Sequence, residues 1–117
     1  MIDILYLAFN RLEFTKATTA AMIANTDWSK VARLIIYDDG STDGAREYLK
    51  SLEYPVAAEV RDLRLGGPVA IMNDYLKHSP ADLFAKIDND TMLPPFWLTE
   101  CLKVMHSHAE LGLLGIE

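Results

Sequence analysis

Apolar runs of strand length alternate along this chain with segments whose apolar residues recur at the helical period. The first run, Ile2–Phe9, is almost continuously apolar, which is typical of a parallel strand covered on both faces. The same criterion predicts four further strands, in chain order Val31–Tyr37, Val56–Val60, Leu83–Ile87 and Leu111–Ile116.

Four helices are predicted between these strands. Asn10, followed three residues later by Glu13, is an N-cap signature for a first helix that ends near Asn25. Pro68 and the pair Pro94-Pro95 suit the first turns of the third and fourth helices. The apolar faces of the last three helices are predicted to be Ala45, Tyr48, Leu49 and Leu52, then Val69, Met72 and Leu76, then Leu98, Cys101, Leu102 and Met105.

This alternation predicts a single α/β domain with three α/β/α layers, a Rossmann-like open and mostly parallel sheet with helices on both faces. Ile2–Phe9, Val31–Tyr37 and Leu83–Ile87 should be adjacent in its centre, because continuous apolar runs need cover on both faces. In such sheets ligands bind at the carboxyl ends of the strands. The loops that follow the strands are therefore the candidate sites.

Composition restricts the possible functions. The 117 residues are 50% hydrophobic and 24% charged, and the single Cys101 rules out a disulfide framework within the chain. A net charge of −6 argues against a protein that coats nucleic acid, and an anionic ligand would need a metal, a helix N-terminus or a few placed cations. No apolar run reaches the ~18 residues of a membrane span. We expect a cytoplasmic protein, or one peripheral to a membrane.

Two acidic loops follow predicted strands. The first, Asp38–Gly44, opens with two adjacent carboxylates, which repel each other unless they meet donors or a cation. The second, Asp88–Asp90, has two carboxylates one residue apart that can converge on a divalent cation such as Mg²⁺. A parallel sheet brings both loops to one edge, so we expect Asp39 to share a cleft with Asp88 or Asp90. Ordinary turns and helix capping are the simpler alternatives.

Four motifs in chain order resemble glycosyltransferase family 2, whose members have the A-type glycosyltransferase fold of nucleotide-diphospho-sugar transferases. Phe9-Asn10-Arg11 follows the first strand, and Asp38-Asp39-Gly40-Ser41-Thr42-Asp43 follows the second. Gly66-Gly67 leads into a helix that carries Asn73, and the D-x-D motif Asp88-Asn89-Asp90 precedes a Pro-led helix. Together the four motifs span nearly the whole chain.

The resemblance implies transfer of a sugar from a nucleotide-diphosphate sugar to an acceptor hydroxyl on a saccharide, lipid or protein, with inversion at the sugar. Asp39 would bind the ring N–H of the base, while Ala8 and Phe9 would line the base and ribose pocket. Asp90 would hold Mn²⁺ or Mg²⁺ on the diphosphate, and Asp88 would support the metal or the ribose. The implied nucleotide-sugar residues are Ala8, Phe9, Asn10, Arg11, Asp38, Asp39, Gly67, Asn73, Asp88 and Asn89, and the implied metal ligands are Asp90 and Asp88.

The chain departs from the family pattern at three points. Leu7 precedes Ala8 where the family usually has Pro, and Met72 stands where an Arg often precedes the Asn. Members of the family normally continue beyond the D-x-D helix into a half that carries the acceptor site and the general base. We therefore expect residues 1–117 to form one nucleotide-sugar-binding domain, truncated before that half, and to transfer sugar slowly or not at all alone.

Two other classes of function stay open. A phosphohydrolase of the haloacid-dehalogenase type also uses D-x-D at a strand end, but after its first strand, and Met92 stands where such an enzyme has Thr or Val. A non-catalytic module would hold a nucleotide without converting it. Arg61 and Arg64, after the third strand, could reach the base or diphosphate, or pair with Asp62 and solvent.

Overall fold

The structure is a computed structural model that describes residues 1–78, 80–108 and 110–115. Within these residues the strands are β1 (Ile2–Ala8), β2 (Val31–Asp38), β3 (Ala58–Asp62) and β4 (Phe84–Asp88). The α-helices are α1 (Leu12–Asn25), α2 (Ala45–Ser51), α3 (Pro68–Lys77) and α4 (Trp97–Ser107), and a short 3-10 helix at Trp28–Lys30 leads into β2. The predicted α/β alternation is confirmed, with β3 and β4 starting slightly later than expected.

The strands form one parallel sheet in the order β3-β2-β1-β4. β1 pairs with both β2 and β4, as predicted, and all seven of its residues are buried. β4 packs on both faces of the sheet, through Ala85 and Ile87 on one and Phe84 on the other, but the prediction that it is central was wrong. Among the described strands β4 pairs only with β1, and Ile87 is its one buried residue. An edge position needs less apolar cover, which is why β4 tolerates Lys86.

Helices cover the two faces of the sheet in three layers. One face packs against α1, α2 and α4 through Met22, Leu49 and Leu98. The other face packs against α3 through Ile71 and Tyr75. Successive side chains of a strand point to opposite faces, so the continuous apolar run of β1 contributes to both clusters.

The buried face of α3 differs from the predicted one. Val69 and Leu76 are 75% and 50% exposed, whereas Ile71 and Tyr75, one turn apart, are buried. This ten-residue helix carries apolar side chains on more than one side, so its pattern is ambiguous. The observed orientation lets the Tyr75 hydroxyl donate to the buried carboxylate of Asp3 at 2.8 Å while the ring packs in the core.

Helices α2 and α4 bury the predicted faces. Ala45 and Leu49 of α2 are fully buried, and Leu98 of α4 is buried with Cys101 partly buried beside it. Trp97, which was not part of the face predicted for α4, belongs to the same cluster. Its ring N–H donates to Thr26 Oγ1 at 3.0 Å. No described helix combines the length and the apolar character needed to cross a bilayer.

The predicted fifth strand, Leu111–Ile116, is absent over residues 111–115, and Ile116 lies outside the described residues. The backbone N–H of Leu111 donates to the carbonyl of His108 at 3.0 Å, which closes a turn. Leu113 is 87% exposed. A strand needs a hydrogen-bonded neighbour, and within the described part of the chain this segment pairs with none.

Candidate functional site

A cleft of about 210 Å³ opens at the carboxyl edge of the sheet, between the ends of β1 and β4, the loop after β2 and the start of α3. The parallel register brings these ends together, because Leu7 of β1 is level with Asp88 of β4 and Ala8 is level with Asp38 of β2. The predicted site residues that line the cleft are Ala8, Phe9, Asp39, Gly67, Asp88, Asn89 and Asp90. Asp39 and the D-x-D carboxylates therefore share one cleft, as the strand-end rule predicts.

Asp39 forms the wall of the cleft on the β2 side. Its Oδ1 accepts hydrogen bonds from the backbone N–H groups of Leu65 at 2.6 Å and Gly66 at 3.0 Å, which fixes the loop before α3. Arg64 of the same loop is exposed and lies with its side-chain stem close to Gly40. The second oxygen of Asp39, Oδ2, accepts no hydrogen bond from any described residue. It is thus available to a donor group on a ligand.

Asp38 is predicted from the resemblance to contact the nucleotide, but it does not line the cleft. Its carboxylate is completely buried, accepts hydrogen bonds from the backbone N–H and the hydroxyl of Ser41, and lies 3.9 Å from the guanidinium of Arg46. The strand alternation turns Asp38 toward the face covered by α1 and α2 and Asp39 toward the face covered by α3. The two adjacent carboxylates avoid repulsion by pointing apart.

Asn10 joins two loops and does not line the cleft. Its backbone has a positive φ of 52°, a conformation that Asn tolerates better than most residues. Its N–H donates to Ser41 Oγ at 2.8 Å, and its Oδ1 accepts from the N–H of Thr42 at 2.8 Å. The predicted N-cap at Asn10 was wrong, because the first N–H of α1, at Leu12, donates to the carboxylate of Asp43 at 2.9 Å.

The D-x-D loop presents two carboxylates to the cleft. Asp88 Oδ1 accepts from Lys86 Nζ at 2.9 Å, and Asp90 Oδ2 lies 3.4 Å from the guanidinium of Arg11. The side chains of Asp88 and Asp90 keep 47% and 52% exposure, so a cation from solvent can reach both. Arg11 thus lies beside the predicted metal ligand but outside the lining of the cleft.

These carboxylates suit a hard divalent cation. Mg²⁺ is usually held by one or two carboxylates together with substrate phosphates and water. The described residues include no group of three or more His, Cys, Asp or Glu side chains that could hold a metal. Asp88 and Asp90 would therefore need oxygen atoms of a substrate or water to complete the coordination of a cation.

Asn89 has the opposite orientation from its two neighbours. It is 9% exposed, and its amide donates to the carbonyl of Asn10 at 3.0 Å and to Thr15 Oγ1 at 3.3 Å. The backbone carbonyl of Asn89 accepts from Thr18 Oγ1 at 3.1 Å. All of its side-chain bonds within the described chain are thus directed to α1 and the loop before it.

Two other predicted contacts lie elsewhere. Asn73 is exposed on α3 and does not line the cleft. Arg61 lies on the α3 side of β3, where it pairs with Glu59 at 2.8 Å and donates to the hydroxyl of Tyr37 at 2.6 Å. Burial raises the pKa of Tyr37 to about 12, so its hydroxyl stays protonated and donates to Asp74 at 2.7 Å. The guanidinium of Arg61 therefore forms its hydrogen bonds and ion pairs outside the cleft.

Sequence reasoning missed three residues around the site. Thr15 and Thr18 occupy buried positions of α1, and the signal for them was a helix with Thr where apolar residues are usual. Lys86 interrupts the apolar run of β4, and that interruption was its signal. None of the three belongs to a motif of the family, so the resemblance did not point to them.

Comparison with known proteins identifies the family. The protein-family model described as "Glycosyl transferase family 2" matches residues 3–115. TarS 1–349 from S. aureus aligns with a TM-score of 0.73 and 13% identity, covering 99% of this chain and 38% of that one. The mannosyltransferase PcManGT from Pyrobaculum calidifontis, solved in complex with GDP-Man and Mn²⁺, aligns with a TM-score of 0.70 and 16% identity, covering 89% and 32%. A comparison with curated proteins finds no significant match.

At these identities the two structures show the fold alone, and the A-type glycosyltransferase fold expected from the motifs is confirmed. The chain spans about a third of the length of these neighbours, 38% and 32% respectively. The family match extends over nearly every residue, from Asp3 to Gly115. The chain therefore belongs to glycosyltransferase family 2.

Proposed function

We propose that this chain is the donor-binding part of a glycosyltransferase that moves a sugar from a nucleotide-diphosphate sugar to an acceptor hydroxyl. The observation that carries the proposal is the convergence of Asp39, Asp88 and Asp90 on one cleft at the carboxyl edge of the sheet. Membership of glycosyltransferase family 2 supports the class of reaction. A single displacement by the acceptor hydroxyl would invert the anomeric carbon.

The cleft fits the nucleoside end of such a donor. Oδ2 of Asp39 can accept a hydrogen bond from a ring N–H of the base, and Phe9, 50% exposed, offers an aromatic face to the base or ribose. At about 210 Å³ the cleft is smaller than the ~300–1,000 Å³ of typical ligand pockets. It would enclose the base and ribose, while the diphosphate extends toward Asp88 and Asp90.

Asp88 and Asp90 are the residues that would hold Mn²⁺ or Mg²⁺ against the diphosphate. Each pairs with a basic side chain, Lys86 or Arg11, which the divalent cation would displace from its carboxylate. When bound, the ion would stabilise the negative charge that develops on the departing nucleotide diphosphate. The complex of PcManGT with GDP-Man and Mn²⁺ supports this combination of donor and metal.

Calorimetric titration with GDP and UDP, with and without Mn²⁺, tests the proposal. We expect tighter nucleotide binding with Mn²⁺. Asp90→Ala should abolish the gain from Mn²⁺, because it removes a charged ligand from a hard cation. Asp39→Ala should weaken binding under both conditions, because Asp39 acts on the base. Asp82→Ala, at an exposed position before the amino end of β4, is the matched control and should bind like the wild type.

Absence of nucleotide binding by the wild type would contradict the proposal, as would a gain from Mn²⁺ that survives Asp90→Ala. Incubation with nucleotide sugars and simple acceptors separates the alternatives. Binding without turnover would favour a non-catalytic nucleotide-binding module, and release of inorganic phosphate from phosphate monoesters would favour a phosphohydrolase.

A further inference from the structure

The buried face of α1 carries hydroxyl groups where a helix that packs on a sheet usually carries aliphatic side chains. Thr15, Thr18 and Thr19 are 0%, 1% and 0% exposed, and Met22 continues the same face. Thr forms helices less readily than Ala or Leu, and a buried hydroxyl is costly unless it is hydrogen-bonded. Buried threonines in such number on one helix therefore indicate specific partners.

Thr18 connects α1 to the centre of the D-x-D loop. Its Oγ1 lies 2.7 Å from the hydroxyl of Tyr6 and 3.1 Å from the carbonyl oxygen of Asn89. Carbonyl oxygens can only accept, and the two within reach of the Thr18 hydroxyl are those of Asn89 at 3.1 Å and Thr15 at 3.4 Å. Because the Asn89 oxygen is the nearer, we assign the Thr18 hydrogen to Asn89, and Thr18 then accepts from Tyr6. Thr15 acts on the same residue, because its Oγ1 accepts from Asn89 Nδ2 at 3.3 Å. Asn89 is thus held by α1 at both its backbone and its side chain.

We propose that Thr18 and Thr15 are positioning residues of the donor site, which act through Asn89 to hold Asp88 and Asp90 at the separation that a divalent cation requires. Asn89 then lines the cleft as the anchor of the loop, with its side chain directed to α1 and away from the nucleotide sugar. This inference rests on the proposed function, since it concerns the metal site of that donor cleft.

The backbone explains how one hydroxyl can set the position of Asp90 relative to Asp88. The N–H of Asn89 donates to the carbonyl of Leu7 at 3.0 Å, and the N–H of Thr91 donates to the carbonyl of Asp88 at 3.0 Å. The carbonyl bonded by Thr18 belongs to the peptide between Asn89 and Asp90, so it sets the direction in which Asp90 leaves the sheet. Loss of this bond would free that peptide to rotate, while the two flanking bonds stay in place.

Thr18→Val removes the hydroxyl and keeps the shape of the side chain. Thr19→Val is a closely matched control, because Thr19 is equally buried but bonds only to carbonyls of its own helix, Thr15 at 2.7 Å and Lys16 at 3.2 Å. Outer partners of metal ligands typically contribute about 10–100-fold to affinity, so Thr18→Val should weaken Mn²⁺ binding about tenfold. Thr18→Ser keeps the hydroxyl group and should therefore retain the Mn²⁺ affinity of the wild type.

Two readouts separate positioning from general damage. Mn²⁺ alone is titrated by NMR through the broadening of amide signals of residues 88–91, and GDP is titrated by calorimetry with and without Mn²⁺. For Thr18→Val we expect weaker GDP binding with Mn²⁺ and unchanged GDP binding without it. Within the described residues Thr18 forms no hydrogen bond with Asp39 or with Leu65 and Gly66, which hold Asp39. A purely structural defect would weaken GDP binding under both conditions.

Equal Mn²⁺ affinities of Thr18→Val and Thr19→Val would overturn the inference. If Thr18→Val does not fold, Asn89→Ala breaks the link from the loop side and should give the same selective loss. Weaker metal-free GDP binding by Asn89→Ala would instead make Asn89 a donor contact and overturn the inference. A wild type that binds Mn²⁺ at residues 88–91 but no GDP refutes the proposed function alone, and one that binds neither refutes both.

Discussion

At the scale of single residues, the carboxylates of the cleft are hydrogen-bonded or paired in two ways. Asp39 is bound by backbone N–H groups, which stay in place when a ligand arrives. Asp88 and Asp90 are paired with the partly exposed side chains of Lys86 and Arg11. Partly exposed ion pairs of this kind contribute only about 0–1 kcal/mol, so a divalent cation can displace them at small cost.

Replacing Lys86 by Met should tighten Mn²⁺ binding. The substitution removes a competing cation from Asp88 and keeps most of the apolar stem. An exposed pair worth up to about 1 kcal/mol sets the gain at no more than about fivefold. The dissociation constant for Mn²⁺ alone is the measurement, and Lys77→Met, at an exposed position of α3, corrects for the general loss of one positive charge. Weaker Mn²⁺ binding would show that Lys86 supports the loop.

At the scale of the elements, α3 links the core to the cleft. Gly67 and Pro68 at its start and Ile71 one turn later all line the cleft. Ile71 also packs into the core cluster on this face of the sheet. The orientation of this helix therefore determines both the stability of that layer and the shape of the cleft.

Ile71→Ala should lower the free energy of unfolding by about 2–4 kcal/mol, because it leaves a cavity under α3. Val69→Ala, two residues earlier on the exposed side of the same helix, should change it by less than about 0.5 kcal/mol. Urea denaturation of both variants measures the difference. Similar losses for the two would mean that α3 packs through the face predicted from its pattern.

Stability should also fall at alkaline pH through the contact between α1 and β1. Burial raises the pKa of Tyr6 from 10.0 to about 12, because the charged phenolate would be shielded from solvating water. The unfolded state releases this proton first, so the stabilisation is complete below pH 10.0 and is lost as the pH rises to about 12. Urea denaturation at a series of pH values should show this fall, and Tyr6→Phe should make it shallower. An unchanged slope would exclude Tyr6 as one of the groups that titrate in this range.

At the scale of the whole molecule, the two edges of the sheet have separate roles. The carboxyl edge carries the cleft. The amino edge holds Asp3, which is 2% exposed and accepts from the guanidinium of Arg33 at 2.9 Å and from the hydroxyl of Tyr75 at 2.8 Å. This network connects β1, β2 and α3 at the edge of the sheet opposite the cleft.

Asp3→Asn should therefore reduce stability and leave nucleotide binding unchanged. Hydrogen bonds to a charged group contribute about 1.5–3 kcal/mol each, and the amide can keep some of them, so we expect a loss of about 2 kcal/mol in the free energy of unfolding. Urea denaturation and GDP titration of the same sample measure both effects, with Asp82→Asn as the exposed control. A loss of GDP affinity in the folded variant would show that the two edges are coupled.

Local patterns were enough to predict much of this molecule. The apolar run of β1 requires cover on both faces, and alternation with helices requires a parallel sheet. A parallel sheet gathers the loops after its strands at one edge, so the meeting of Asp39 with Asp88 and Asp90 followed from chain order alone. Each of these inferences needs only the periodicity of apolar residues and the positions of loops, which can be read from residues that are close together in the sequence.

Tertiary contacts decided the rest. Asp38 and Asp39 are indistinguishable in the sequence, and only the pleat of β2 and the position of Ser41 turn one to the core and the other to the cleft. The N–H that begins α1 is capped by Asp43, 31 residues away, and the face of α3 is selected by a bond from Tyr75 to a carboxylate 72 residues away. Partners so distant along the chain leave no local periodicity, because they become neighbours only when the sheet has formed.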